Sequence, residues 1–219
     1  MRFRKIFEGV YKIDNKLATL NLVKGNRVYD EELIMREGKQ YRLWNPYRSK
    51  LAAAIINGMK QMHIRTGSRV LYLGAATGTT SSHVSDIVGK DGIVYCIEIS
   101  ERNMRELLKT CEPRQNMLPM LQDARNVDAY ASDTGVCDII YQDIAARDQA
   151  DILIRNIALL KDSGYAYVAI KSQSIDVVKQ PEQVFKEFLE EVSAKFKVVE
   201  KVDIAPYSKM HLFAVLQKK

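Results

Sequence analysis

Charged side chains follow four segments that the sequence predicts to be successive buried strands. Glu98, Asp123, Asp143 and Lys171 each come within two residues of the end of such an apolar segment. Because the carboxyl ends of parallel strands meet at one edge of a sheet, we expect these side chains to lie close together. A carboxylate accepts two hydrogen bonds from ribose hydroxyls, which suits Glu98, and Asp123 could accept one from an adenine amino group. Asp143 would then lie near the reactive end of a nucleoside cofactor.

A run of small residues comes before these strands. Residues 69–80, RVLYLGAATGTT, predict a buried strand, a tight turn and a helix start, and we assign to the cofactor Gly74, Ala75, Ala76, Gly78, Thr79 and Thr80. Small residues let the backbone approach a ligand, and the first N–H groups of a helix are free to donate to it. Nicotinamide enzymes need G-x-G-x-x-G, but Ala76 and Thr79 stand where two of those glycines belong. The G-x-x-x-G spacing of a methyltransferase is met by Gly74 and Gly78.

The elements that position these residues predict an α/β fold. Strands and helices alternate from Arg69, with strands at 70–73, 93–97, 117–121, 137–142 and 165–170. Helices are indicated at 79–88, 100–111, 149–160 and 181–192, and Pro119 favours an edge position for the third strand. Two last strands, at 196–202 and 211–216, are close enough to pair as a hairpin-like unit. Seven strands with a C-terminal antiparallel pair are typical of Rossmann-like S-adenosylmethionine-dependent methyltransferases.

The N-terminal part of the chain lacks helical periodicity. Short strands separated by Gly and Asn turns are indicated at 6–13, 17–23, 28–29, 32–35 and 40–43. We therefore expect a small antiparallel β domain at residues 1–48 and a methyltransferase domain at residues 49–219. Ser49 is placed to cap the first helix of the second domain.

The excess positive charge lies in the same N-terminal part. The chain of 219 residues has a formal net charge of +6, and residues 1–50 hold 12 Lys and Arg against 6 Asp and Glu. A basic surface beside a nucleotide-type domain favours a polyanionic partner. Arg42, Arg48 and Lys50 alternate here with Trp44 and Tyr47, a pattern that suits an RNA strand. We expect Arg48 to contact RNA and Trp44 to be structural.

Several classes of protein are disfavoured by the sequence. No apolar run is long enough for a membrane span, and the N-terminus lacks the apolar segment of a signal peptide, so we expect a cytoplasmic protein. Cys96, Cys111 and Cys137 are expected to be reduced core thiols, and no Cys and His pairs have metal-ligand spacing. His63 and His83 are expected to be structural.

Longer strings of residues carry a specific resemblance that covers nearly the whole chain. They are LYLGAATGTTSSHVSDIV, WNPYRSKLAAAI, IEISERNMRELL, DIIYQDIA, AIKSQSIDV and VDIAPYSKMHLFAV. In these strings the chain resembles fibrillarin in its shorter archaeal form. The resemblance implies 2′-O-methylation of ribose in rRNA and tRNA, with S-adenosylmethionine as methyl donor. It also implies membership of a box C/D ribonucleoprotein, in which guide RNA selects the target RNA, and a Nop-type scaffold protein and a kink-turn-binding protein as partners. It implies no metal and no membrane, and a cytoplasmic location.

The resemblance also implies site residues by position. A catalytic set falls on Lys50, Asp143, Lys171 and His211. Cofactor contacts fall on Thr79, Thr80, Glu98, Ile99, Asp123, Ala124, Asp143, Ile144, Ala145 and Ala146. Many relatives carry Gln where this chain has Ala146, which cannot supply a side-chain amide. We expect Gln149, in the helix start that follows, to compensate.

Each catalytic residue type suits transfer of a methyl group to a ribose hydroxyl. We expect Lys171 to contact the 2′-hydroxyl, as base or as stabiliser of the developing alkoxide, and Asp143 to orient that lysine. Lys50 would hold ribose or phosphate, and His211 would complete the hydrogen-bond set. Two other functions stay open: a metal-dependent small-molecule O-methyltransferase of the catechol type, and a non-catalytic RNA-binding scaffold subunit. Neither explains both the basic N-terminal part and the full catalytic set.

Overall fold

The computed structural model describes residues 2–219, which form a small five-stranded sheet and a large seven-stranded sheet. The small sheet is antiparallel, with the order β1-β2-β3-β5-β4. Its strands are β1 (Phe3–Phe7), β2 (Val10–Ile13), β3 (Lys16–Leu20), β4 (Leu33–Arg36) and β5 (Lys39–Trp44). The expected N-terminal antiparallel sheet is therefore confirmed.

Two strand predictions in this region were wrong. The segment 6–13 is not one strand, because Gly9 at φ +71° makes the turn that separates β1 from β2. The expected strand at 28–29 is absent from the described residues 21–32. There the Glu31 carboxylate accepts the backbone N–H groups of Val28 and Tyr29, which closes a turn instead of leaving them free for a strand.

The large sheet has the order β11-β12-β10-β9-β6-β7-β8. Its strands are β6 (Arg69–Leu73), β7 (Ile93–Glu98), β8 (Met117–Leu121), β9 (Cys137–Gln142), β10 (Leu160–Lys171), β11 (Phe196–Asp203) and β12 (His211–Lys218). Strands β6 to β10 are parallel, and β12 lies antiparallel between β10 and β11. The predicted C-terminal pair and the edge position of the strand that holds Pro119 are both confirmed.

Helices cover both faces of the large sheet. They are α1 (Lys50–Ile56), α2 (Thr79–Val88), α3 (Glu101–Cys111), α4 (Ala131–Thr134), α5 (Gln149–Arg155), α6 (Ser172–Ile175) and α7 (Pro181–Val192). Ser49 caps α1 and Ser100 caps α3, as predicted. No helix within residues 2–219 combines the length and the apolar character needed to cross a membrane.

The helix predicted at 149–160 was too long. It ends at Arg155, and residues 156–159 form a 3₁₀ turn before β10 begins at Leu160. The buried Asn156 side chain donates to the carbonyl of Ala124 at 2.9 Å and accepts the Tyr130 hydroxyl at 2.6 Å. These contacts hold the chain at this point and separate α5 from β10.

A buried network of charges joins the small sheet to α2. The Arg42 guanidinium contacts Glu31 at 2.5 Å and Asp86 at 2.9 Å, and Asp86 contacts Arg114 at 2.7 Å. The side chains of Arg42 and Asp86 are fully buried. The interpretation of Arg42 as part of an exposed RNA-binding patch was therefore wrong, because its charge is neutralised inside the protein.

Trp44 and His83 lie beside this network. The two rings stack with centroids 4.8 Å apart, and both residues are buried. His83 Nδ1 contacts Thr19 Oγ1 at 2.7 Å, and its Nε2 contacts the Tyr29 hydroxyl at 2.6 Å. Both residues are structural, as predicted from the sequence.

Candidate active site

A cavity of about 290 Å³ opens at the carboxyl edge of the large sheet. It lies where the strand order reverses, because β7 and β8 extend the sheet on one side of β6 while β9 and β10 extend it on the other. Open α/β sheets bind ligands at this point. The cavity is lined by Gly74, Ala76, Ile97, Glu98, Ile99, Asn103, Gln122, Asp123, Ala124, Arg125, Asp143, Ile144, Ala145, Ile152 and Lys171.

The turn after β6 forms one wall of the cavity. Gly74 has φ +82°, and a Cβ atom built on it would lie 2.9 Å from the carbonyl oxygen of Asp143. Glycine is required here because it allows both this backbone conformation and the close approach of the segment that follows β9. Helix α2 begins after Gly78 without a side-chain cap, so its first N–H groups remain available to a ligand.

Glu98, the last residue of β7, braces this turn. Its Oε2 accepts the N–H of Ala76 at 2.8 Å, and its Oε1 accepts the N–H of Ser100 at 2.8 Å. Ala76 has φ +49°, an uncommon conformation for a residue with a side chain, and the bond to Glu98 helps to hold it. The Glu98 carboxylate therefore fixes the turn and also lines the cavity.

Most of the residues assigned to the cofactor surround the cavity, and the others support it. Ala75 is buried under the turn, Gly78 precedes α2, and Thr79 and Thr80 open that helix. Thr80 is itself buried, and its hydroxyl donates to Ser49 Oγ at 3.0 Å. Ala146 lies next to the lining residues Ile144 and Ala145 but does not line the cavity.

Gln149 is the first residue of α5, the helix start expected from the sequence. Its side chain is fully buried, its amide nitrogen donates to the carbonyl of Ile144, and its amide oxygen accepts the N–H of Lys171 at 3.2 Å. Its amide is therefore used within the protein, where it ties the segment after β9 to the end of β10. The replacement of an amide missing at Ala146 by Gln149 stays a prediction.

Sequence reasoning missed several lining residues. Asn103, Gln122 and Arg125 line the same cavity, together with Ile97 and Ile152. The Arg125 guanidinium bridges Asp123 at 3.3 Å and Asp148 at 2.7 Å, and so holds the Asp123 loop against the start of α5. Asn103 stands five residues after Glu98 and Gln122 directly before Asp123, so their proximity to assigned residues was the available signal.

Asp143 lies between two lysines at the mouth of the cavity. Its Oδ1 is 2.9 Å from Lys50 Nζ and 2.8 Å from Lys171 Nζ. Lys50 is the first residue of α1, Asp143 follows β9, and Lys171 ends β10. The side chains are between 14% and 22% exposed, so all three are accessible but partly desolvated. The structure thus brings together residues separated by up to 121 positions.

The Lys171 ammonium is held by two oxygen atoms of Asp143. It lies 2.8 Å from Asp143 Oδ1 and donates to the Asp143 carbonyl oxygen at 2.9 Å. An ammonium carries three N–H bonds. The hydrogen bond to the Asp143 carbonyl uses one of them and Oδ1 is held as an ion pair, so contacts within residues 2–219 leave at least one N–H for an incoming oxygen atom.

His211 is the fourth member of the Asp143 cluster, which consists of Lys50, Asp143, Lys171 and His211. It pairs with Lys171 across the antiparallel strands β10 and β12, and its Nδ1 lies 2.6 Å from the carbonyl oxygen of Lys209. A carbonyl only accepts, so Nδ1 carries the hydrogen and Nε2 keeps a lone pair. Burial lowers the pKa of His211, the carbonyl of Lys209 acts in the opposite direction, and the charges of Lys50 and Lys171 add to the lowering. The ring is therefore neutral near pH 7.

A metal site needs several His, Cys, Asp or Glu side chains that converge on one point. No group of three or more His, Cys, Asp or Glu side chains within residues 2–219 could hold a metal ion.

The chain matches known proteins over its whole length. The family model for fibrillarin matches residues 1–219. The fibrillarin-like rRNA/tRNA 2′-O-methyltransferase of Pyrococcus furiosus is 50% identical over 218 residues, which cover 97% of this chain and 96% of the relative.

Solved structures agree with this match. Aeropyrum pernix fibrillarin, crystallised with natively bound S-adenosyl-L-methionine, has a TM-score of 0.88 and 39% identity, covering 95% of this chain and 94% of its own. The fibrillarin of a fibrillarin/Nop5p complex has a TM-score of 0.91 and 38% identity, covering 99% and 100%. These matches, and the placement of the Asp143 cluster at the switch point of the large sheet, lead to one conclusion: the chain belongs to the fibrillarin family.

Proposed function

We propose that this protein is an S-adenosylmethionine-dependent 2′-O-methyltransferase of ribose in rRNA and tRNA. The observation that carries the proposal is the position of Asp143, which contacts two ammonium groups at the mouth of a nucleoside-sized cavity. The family match and the relative with natively bound S-adenosyl-L-methionine support the choice of reaction and cofactor.

The residues of the cavity fit S-adenosylmethionine chemically. Glu98 offers a carboxylate to the ribose hydroxyls and Asp123 offers one to the adenine amino group. Ile99 and Ala124 present apolar surface on which a flat base can lie. The uncapped start of α2 offers N–H donors to a carboxylate.

S-adenosylmethionine, when bound, supplies a methyl group on a positively charged sulfur. The protein must then hold the 2′-oxygen in line with that methyl group and manage the hydroxyl proton. Lys171 has at least one N–H that contacts within the described residues leave free, and this N–H donates a hydrogen bond to the oxygen as negative charge develops there, while the proton stays on the lysine. His211 Nε2, which is neutral, is the acceptor for the proton of the hydroxyl.

Asp143 and Lys50 position these groups. Asp143 holds Lys171 from two directions, through its carboxylate and its backbone carbonyl. Lys50 shares the same carboxylate and binds the ribose or its phosphate. The negative charge of Asp143 also offsets part of the positive charge near the sulfur.

We propose that the protein acts as the catalytic subunit of a guide-RNA-directed box C/D ribonucleoprotein. A Nop-type scaffold protein, a kink-turn-binding protein, guide RNA and target RNA are its partners. A solved fibrillarin/Nop5p complex supports the scaffold partner, because that fibrillarin matches this chain over 99% of its length. A cytoplasmic location stays a prediction.

The proposal is tested by methyl transfer in the reconstituted complex. The purified chain is mixed with labelled S-adenosylmethionine, guide RNA, target RNA and the two partner proteins, and label on the target is counted. We expect label on an ordinary target and none on a target with hydrogen in place of the selected 2′-hydroxyl. Equal labelling of the two targets would contradict ribose 2′-O-methylation.

Substitution of Lys171 separates its catalytic function from a general effect of charge. We expect Lys171→Ala to lower kcat about 100-fold or more, because the incoming oxygen loses its donor. Lys161→Ala is the matched control. Lys161 lies near the other end of the same strand, β10, and pairs there with Asp138. The kcat of Lys161→Ala should stay within about twofold. Full activity of Lys171→Ala would remove Lys171 from the mechanism.

A further inference from the structure

Two short segments with a similar order of residue types lead into the proposed active site. Residues 46–50 read Pro-Tyr-Arg-Ser-Lys and end at Lys50. Residues 206–211 read Pro-Tyr-Ser-Lys-Met-His and end at His211. Each of these Pro-Tyr segments places a tyrosine, Tyr47 or Tyr207, three or four residues before a member of the Asp143 cluster. Their resemblance to each other is not explained by the methyl-transfer mechanism.

The two tyrosines meet in space. Their rings pack edge to face, with centroids 4.9 Å apart and planes at 73°. Tyr207 is half-buried against the core, whereas Tyr47 is 69% exposed. A ring that is supported on one side by a neighbouring ring and exposed on the rest offers a flat surface for a ligand with a π-face.

Hydrogen bonds hold both Pro-Tyr segments in place. The Asn45 side chain accepts the N–H of Tyr47 at 2.9 Å. The Asn57 side chain, after α1, donates to the carbonyls of Asp203 and Ala205, each at 2.8 Å. Because the rings are already positioned, a ligand that stacks on them loses little further conformational freedom in the protein.

The charges around the rings select the kind of ligand. The two Pro-Tyr segments hold Arg48, Lys50 and Lys209 and no carboxylate. The groove beside Tyr47 and Tyr207 is also lined by Asp30, Glu31 and Glu32, of which Glu31 pairs with the buried Arg42 and Glu32 pairs with Lys16. Arg48 and Lys209 are exposed, and the Arg48 guanidinium lies 5.4 Å from the centroid of the Tyr29 ring. Exposed aromatic faces interleaved with cations are the arrangement by which proteins bind single-stranded nucleic acid without reading its sequence.

We propose that the Pro-Tyr segments form a stacking platform for the target strand. Tyr47 receives a base close to the methylated nucleotide, and Arg48 and Lys209 contact the phosphates beside it. This inference rests on the proposed function. Tyr47 and Lys50 are three residues apart, so their Cα atoms are separated by at most about 11 Å. At about 3.4 Å for each stacked nucleotide, the platform lies within a few nucleotides of the reactive ribose.

The platform is tested in the reconstituted complex with a fluorescent target strand. The target carries 2-aminopurine one, two or three nucleotides to either side of the methylated position. We expect its fluorescence to fall on binding to the wild-type complex and to the Tyr47→Phe complex, because both present an aromatic face. With Tyr47→Ala we expect the quenching to be lost at the stacked position.

Kinetics give a second readout. Tyr47→Ala should raise KM for target RNA about tenfold, within the range for loss of one base–aromatic contact, and leave kcat within about twofold. Tyr47→Phe, the matched control, should keep the wild-type KM. Tyr207→Ala, which removes the support, should raise KM by a smaller factor. Thermal unfolding of each variant verifies that the chain is folded.

Two outcomes would overturn the platform, and a third concerns only the proposed function. Equal quenching and equal KM for Tyr47→Ala and Tyr47→Phe would show that the ring contacts no base. A loss of scaffold-protein binding in Tyr47→Ala, with unchanged quenching, would assign the surface to a protein partner. If the wild-type complex transfers no methyl group, the proposed function fails, whereas the quenching measurement still decides whether Tyr47 contacts the strand.

Discussion

A single carboxylate organises the site at the scale of the residue. Asp143 contacts Lys50 and Lys171, so two positive charges lie within hydrogen-bond distance of one negative charge. The lowered pKa of His211 keeps the fourth group neutral at pH 7. The cluster therefore carries one net positive charge, which attracts a phosphate backbone and favours an oxygen that is gaining negative charge.

The buried His83 predicts how stability depends on pH. Burial lowers its pKa well below the ordinary value, and the charges of Arg42 and Arg114 lower it further. The folded chain thus keeps His83 neutral while the unfolded chain binds a proton below about pH 6.5, so stability falls as pH falls. From pH 7 to 5.5 this one residue should remove about 1 kcal/mol of unfolding free energy.

Urea unfolding at several pH values measures this loss. His83→Gln removes the titrating group, so its unfolding free energy should decrease about 1 kcal/mol less than that of the wild type over the same interval. His63 and His211 are present in both proteins, and the difference between the two curves isolates His83. Parallel curves for the two proteins would contradict a neutral His83 in the folded state.

At the scale of the element, the turn between β6 and α2 holds three parts of the site together. Gly74 allows the turn to pack against the backbone of Asp143, and the N–H of Ala76 donates to Glu98. Gly78, with a positive φ, is the residue from which α2 begins. A change in this turn therefore reaches the cofactor cavity and the Asp143 cluster at once.

Gly74→Ala tests this coupling. The new Cβ would lie 2.9 Å from the Asp143 carbonyl, in a backbone conformation that L-residues rarely adopt. We expect a loss of about 1–3 kcal/mol in unfolding free energy. We also expect binding of S-adenosylmethionine to weaken at least tenfold, as measured by titration calorimetry.

Gly58→Ala is the matched control for the backbone conformation. Gly58 also has a positive φ, +97°, but a Cβ there meets nothing within 4 Å. This variant should lose about 1 kcal/mol and bind S-adenosylmethionine as the wild type does. If both variants bind it equally, the close approach at Gly74 does not shape the cavity.

At the scale of the whole molecule, buried charges join the small sheet to the rest of the chain. Arg42 of β5 reaches Asp86 of α2, and Asp86 also reaches Arg114 after α3. Lys50, which follows β5 by six residues, therefore starts α1 from a fixed position. The boundary between residues 48 and 49 stays a prediction. The buried network crosses it, because Arg42 lies before it and Asp86 lies after it.

Arg42→Met measures the strength of this connection. Removal of Arg42 leaves the buried Glu31 carboxylate without a guanidinium and leaves Asp86 with Arg114 alone, and such changes cost about 3–5 kcal/mol. Urea unfolding should show this loss. Lys16→Met is the control, because the exposed pair of Lys16 and Glu32 should contribute about 0.5 kcal/mol or less. Equal losses in the two variants would mean that Arg42 is not a structural anchor.

The basic surface predicts weak binding of RNA by the isolated chain. The affinity should be independent of sequence and fall steeply with salt, since it depends on phosphate contacts. Arg48→Gln should reduce the slope of log affinity against log salt by about 0.7. Lys186→Gln, on the exposed face of α7, should leave the slope unchanged. Tight, sequence-selective binding by the chain alone would contradict this prediction.

The sequence by itself determined the fold class and the place of the site. Glycine spacing, alternating strands and helices, and the C-terminal antiparallel pair are local patterns, and local patterns predict elements and their order. Because parallel strands expose their carboxyl ends at one edge, Glu98, Asp123, Asp143 and Lys171 could be placed together without coordinates. The resemblance to fibrillarin added Lys50 and His211.

Only the tertiary structure decided which charges meet which partners. Arg42 and Arg48 look alike in the sequence, yet the first is buried against Glu31 and Asp86 while the second is exposed. The role of Gln149 at the cofactor stays a prediction, whereas the structure alone shows that its amide bonds to backbone groups that long-range packing brings to it. A charge or an amide can pair with any complementary group within about 3 Å, and such proximity depends on the packing of elements that are distant in the chain.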